Sequence, residues 1–167
     1  MRRVAITSSC LFVALLLSPF AVGGATSVEV LFTPSVVQEA VALKDNLRVG
    51  RLESSNAMSL VGAPAEKKKA FSDKVASATA VVIIGEDALK AVADMEFPTS
   101  VIVVNATGPC PSNKGRIVRV FDGASAPGDA QPVSSASAVK DLLASGKEVS
   151  LKGRATTVVQ GVLDALK

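Results

Sequence analysis

From Thr26 onward, short β-branched runs alternate with stretches whose apolar residues recur every three or four positions. That alternation is the signature of a parallel sheet covered by helices. Residues 28–32 predict a first strand. Thr33, Pro34 and Ser35 then open a helix to about Leu47. Pro34 suits the first helical position, and either Thr33 caps the helix or Ser35 and Gln38 form a capping box. Val36, Ala40, Leu43 and Leu47, with Val37 and Val41 beside them, make its core stripe. Residues 48–53 predict a short edge strand, followed by a polar loop at Ser54, Ser55 and Asn56. A second helix over 64–76 is expected to bury Ala70, Phe71 and Val75.

A continuous apolar run at 80–84 and a second stretch at 100–104, apolar after Ser100, have strand length and no polar face, so both are expected at the centre of the sheet. Between them, residues 86–95 predict a helix with Leu89 and Val92 inward, completing a right-handed βαβ unit. Residues 116–121 alternate, which places that strand nearer an edge. The stretch 122–135, rich in Gly, Ala, Ser and Pro, reads as a flexible loop. A helix over 137–145 stops at Gly146 and an extended piece follows at 148–152. In the final helix, 155–166, Val158, Val159, Val162, Leu163 and Leu166 form one face that is expected to dock on the sheet.

Ahead of this pattern, Arg2 and Arg3 precede an apolar run at 11–17 and small residues at 21–25. These are the three parts of a secretory signal peptide, cleaved near Ala25, and the run is well short of the roughly 20 residues that span a bilayer. A single exported α/β domain over 26–167, periplasmic or secreted, is expected. Cys10 precedes the apolar run, the wrong side for a lipoprotein cysteine. The formal charge of +3 includes Arg2 and Arg3, so the processed chain is nearly neutral. Near-neutrality gives little reason to bind nucleic acid. Lys67, Lys68 and Lys69, flanked by Glu66 and Asp73, read as a solvated helix face. Cys110 would then stand alone in a loop stiffened by Pro109 and Pro111, with Lys114 the nearby cation able to lower its pKa.

The chain has no His, Trp or Tyr, which excludes Ser-His-Asp triads, Cys-His pairs and His-ligated zinc. No phosphate-binding glycine motif follows a strand, and no Asp-rich calcium loop is present. No metal, cofactor or catalytic residue is assigned, and the chain is read as a non-enzyme. Ligands of open parallel sheets gather beyond the carboxyl ends of the strands, where three loops qualify. Thr33 and Ser35 offer hydroxyls after the first strand, or serve only as caps. Gly85, Glu86 and Asp87 offer close backbone approach and an acceptor for an amine, or acids that complement a helix dipole. Asn105 and Thr107 offer a donor and acceptors, or ordinary turn chemistry.

Residues 28–35, then 80–89, then Pro98 through Asn105, together resemble the first lobe of the substrate-binding proteins of uncharacterised ABC transporters. Proteins of that family carry a Ser-bearing loop after one strand, Gly-Ser/Thr-x-Ala-Leu after the next, and Pro before a hydrophobic strand with a small polar end. The resemblance covers roughly residues 28–109 and implies a three-layer α/β sandwich, with a mainly parallel sheet of about five strands in flavodoxin-like order. It implies that Thr33, Ser35, Gly85, Glu86, Asn105 and Thr107 face a small polar solute such as an amino acid. Glu86 departs from the family's small hydroxyl residue at its position, and the chain has the length of one lobe where the family has two. A membrane transporter or a second copy of the chain would be the macromolecular partner. The competing expectation is an exported structural or interaction module, marked by an exposed stripe at Val158, Val162 and Leu166. An enzyme relying on the Glu86 carboxylate is the third.

Overall fold

These two apolar stretches become neighbouring central strands. The computed structural model describes residues 26–123 and 126–167, so the expected signal peptide lies outside the described residues. The chain runs β1 (Ser27–Phe32), α1 (Val37–Asn46), β2 (Arg51–Asn56), α2 (Ala65–Lys74), β3 (Ala80–Ile84) and α3 (Glu86–Val92). It continues through β4 (Glu96–Phe97), β5 (Ser100–Val104), β6 (Ser112–Asn113), β7 (Ile117–Phe121) and β8 (Gln131–Pro132), then α4 (Val139–Leu143), β9 (Glu148–Lys152) and α5 (Ala155–Ala165). Seven strands form one sheet in the order β2-β1-β3-β5-β7-β9-β8, with every neighbouring pair parallel. The two-residue strands β4 and β6 pair separately. The fold is the expected three-layer α/β sandwich of flavodoxin-like type, widened from about five strands by β9 and β8.

Strand alternation divides the core between the two faces of the sheet. Val82, Ile84, Ile102 and Val104 pack with Leu43 of α1, Val139 and Leu143 of α4, and Val158 and Val162 of α5. On the other face Val81, Ile83, Val101 and Val103 pack with Leu89 and Val92 of α3, and with Val75, Met95 and Phe97. Helix placement follows the direction in which the chain steps. From β1 to β2 it steps one way with α1 on the first face, and from β2 through β3 to β5 it steps the other way with α2 and α3 on the second. After β7 it passes to the far edge, lays down β8, and returns through α4 on the first face to insert β9 between β7 and β8. All these crossovers therefore share one hand, as right-handed connection requires.

Several expectations are corrected. Ser54, Ser55 and Asn56 are not a loop: they continue β2 in register with Val30, Leu31 and Phe32. The open edge of β1 supplies backbone partners there, and an edge strand can carry polar side chains. Strand β7 is interior, between β5 and β9, and alternates because α4 and α5 cover only one of its faces. The second half of the expected loop 122–135 holds β8 and the buried Val133, whose N–H donates to the Lys152 carbonyl at 2.7 Å. Ala70 is exposed, and of the three residues expected to be buried around α2 only Val75 is fully so.

Of the basic run, Lys67 and Lys69 are solvated as expected, whereas Lys68 is partly buried. Lys69 pairs with Asp73 one turn on, Lys68 with Asp94, and Lys67 donates to the Ser59 carbonyl. Helix α5 docks as expected, with Val158, Val159, Val162 and Leu163 buried. Gly161 permits this close packing, because a Cβ there would lie 2.5 Å from the Ala136 carbonyl oxygen and 2.7 Å from Val139 Cγ2.

Candidate functional site

Strand order reverses at β1, whose successors in the chain lie on either side of it. The carboxyl ends of β1, β3 and β5 are consecutive along one edge, so the three loops selected from sequence become neighbours. Thr33 follows β1 in extended conformation, and Pro34 begins a 3-10 turn over Pro34–Val36. Neither expected cap forms. The Thr33 and Ser35 hydroxyls bond each other at 2.7 Å, with Thr33 buried and Ser35 exposed. Hydroxyls two residues apart across a tight turn satisfy one another before either reaches a helical N–H.

Gly85 follows β3 at φ +83°, a conformation that favours glycine. A Cβ there would lie 3.2 Å from Val36 Cγ1, so the β1 and β3 loops are in close contact. The Gly85 N–H donates to the Val104 carbonyl at 2.9 Å, tying β3 to β5. Glu86 begins α3, but its carboxylate is turned toward the β5 loop. Oε2 accepts from the Thr107 N–H at 2.9 Å and the Gly108 N–H at 3.4 Å, and Oε1 fills the space a side chain at Gly108 would need. Asp87 is exposed.

Asn105 follows β5 at φ +53°, a left-handed conformation that Asn tolerates better than most residues. Its Oδ1 accepts from the Asp122 N–H at 2.9 Å, while its side-chain NH2 makes no hydrogen bond among the described residues. Thr107 is exposed at the outer end of this loop. Arg119 of β7, which the sequence did not single out, holds the loop from the other side. Its Nη1 and Nη2 donate to the carbonyls of Ala106 at 3.2 Å and Gly108 at 2.9 Å, and its Nε pairs with Glu148 at 3.0 Å. The 106–108 turn is thus gripped by a carboxylate on its amides and a guanidinium on its carbonyls. The signal for this was an arginine at an otherwise apolar strand position, flanked by Val118 and Val120.

The edge therefore presents Ser35, Asn105 and Thr107, while Thr33, Gly85 and Glu86 are engaged within it; Gly85 is buried, and its carbonyl accepts from the Leu89 N–H at 3.1 Å. A polar hollow of about 500 Å³ lies beyond the β5 loop, with Thr107, Arg119, Glu148 and Ser150 among its walls. Cys110 is half-buried beside this loop and joins the core around Phe97 and Ala106. Burial pushes its thiol pKa up, the Arg119 charge lowers it and the Glu148 charge raises it. Arg119 thus takes the part expected of Lys114. Among the described residues no three Cys, Asp or Glu side chains are grouped to hold a metal ion, and no helix is long and apolar enough to cross a membrane. No family model, no curated protein and no solved structure matches this chain.

Proposed function

We propose that this chain is an exported small-solute-binding protein, built like one lobe of the ABC-transporter substrate-binding proteins it resembles, and that it acts by binding without chemistry. The observation that supports this most is the reversal of strand order at β1, which sets the Ser35 and Gly85 loops side by side with Val36 packed against Gly85. Solutes of open α/β sheets lodge at such a reversal. Ser35 would supply a hydroxyl and Asn105 two unengaged amide hydrogens, while Gly85 lets the β1 loop pack close behind them. Glu86, with its charge at the inner wall, disfavours a solute of net negative charge and suits a neutral or zwitterionic one such as an amino acid. The exposed α5 stripe that would favour an interaction module is absent, since Val158 and Val162 are fully buried.

The test is a native mass spectrum of the protein gently purified after expression of the full chain. A small reproducible adduct, lost when Ser35→Ala and Asn105→Ala are combined, is the expected result. Bare protein that takes up no amino acid on titration, or an adduct indifferent to both substitutions, would overturn the assignment.

A further inference from the structure

Four large apolar side chains are exposed among the described residues: Val37, Val41, Met58 and Val61. Met58 and Val61 belong to the turn that follows β2 and packs on α3. They border a hollow of about 440 Å³ whose opposite wall is the stripe Asp87, Lys90, Ala91 and Asp94 of α3 and the residues after it. Asp94 pairs with Lys68 at the rim. Asp87 and Lys90 make no ion pair among the described residues, and both are exposed.

Asp87 and Lys90 are three positions apart, so they share one face of α3. An acid and a base at that spacing are complementary to the same pair run in reverse. A two-fold axis crossing α3 between them lays the helix of a second copy antiparallel and sets each Asp87 against Lys90 of the other copy. This is the arrangement of an isologous contact. Ala91 is buried at the foot of this stripe, and Met58 and Val61 stand exposed beside it. Lys68 and Lys90 balance Asp87 and Asp94, so the patch offers no field to a strongly charged partner.

We propose that this face is a self-association surface, on which two copies meet through Met58, Val61 and reciprocal Asp87–Lys90 pairs. The proposal does not depend on the solute assignment, because none of these four residues is among those proposed to meet the solute.

Sedimentation velocity on the protein purified from full-chain expression, from micromolar to submillimolar concentration, tests it. A reversible dimer is expected. Val61→Asp should weaken it by tenfold or more, since about 1.4 kcal/mol suffices for that factor. Asp87→Lys should weaken it similarly by facing like charges, and Asp87→Lys combined with Lys90→Asp should restore it. All of these side chains are on the surface, so an unchanged thermal melt by circular dichroism checks that each variant is folded. A wild-type monomer throughout the range, a dimer unaffected by Val61→Asp, or failure of the double charge swap to restore association would overturn the proposal.

Discussion

Glu29 lies in the middle of β1 with its side chain only 4% exposed, and the cation beside it, Lys74 at the end of α2, is 49% exposed. Replacing Lys74 with Met removes that cation while keeping an apolar stem near the Phe71 ring. The lost attraction can be bracketed. At the observed 3.4 Å separation, unit charges interact by about 1 kcal/mol in bulk water and about 5 kcal/mol at the effective dielectric of roughly 20 found near protein surfaces. Solvent reaches Lys74 from one side, which screens the pair toward the lower value, while burial of Glu29 resists that screening. A loss of about 2 kcal/mol is expected for Lys74→Met, read from urea unfolding followed by circular dichroism. Glu29 would retain only the Ser55 hydroxyl as a partner. In a Glu29→Gln background, where that hydroxyl can still be met and no charge needs balancing, Lys74→Met should cost much less. Additivity of the two substitutions to within about 0.5 kcal/mol would refute the coupling, and Lys74 would then be held by Glu53 alone, 2.9 Å away.

Gly161→Ala tests close packing against helix propensity. Ala is favoured by about 1 kcal/mol in a helix interior, but its Cβ would meet the Ala136 backbone at 2.5 Å, which no rotamer change relieves. Overpacking costs about 1–3 kcal/mol, so a net loss in urea midpoint is expected, and a gain would show that α4 and its preceding turn move aside freely. For Cys110, burial raises the thiol pKa, so less thiolate is present at neutral pH than in an ordinary cysteine. Its labelling by an aromatic disulfide should be slower than that of a free-cysteine peptide at neutral pH and should continue to accelerate at alkaline pH after the peptide has levelled off. Equal rates across the range would overturn this.

What the sequence made legible follows from how local each determinant is. Strands β3 and β5 could be read directly, because five consecutive buried apolar residues in β3 and four after Ser100 in β5 leave no other economical structure. The last residues of β2 could not, since Ser54, Ser55 and Asn56 are strand only because β1 offers them an edge. β8 was hidden for a similar reason: its two residues, one of them Pro132, carry no strand pattern and are ordered by pairing with Leu151 and Lys152. The candidate loops were found by following strand ends, which needs no tertiary information. The fate of Glu86 is not visible in the sequence, because its partners lie some twenty residues later in the chain, and the role of Arg119 depends on a loop that only the sheet brings beside it.

The placement of β9 between β7 and β8 sets a rule for the order in which the molecule can be completed. Until the segment from Glu148 onward has been synthesised, β7 has an open edge, β8 has no neighbour in the sheet, and Val118 and Val120 lack the covering residues of α5. The sheet cannot close from its N-terminal side alone. The last strand and helix to emerge, β9 and α5, are therefore those that lock the rest.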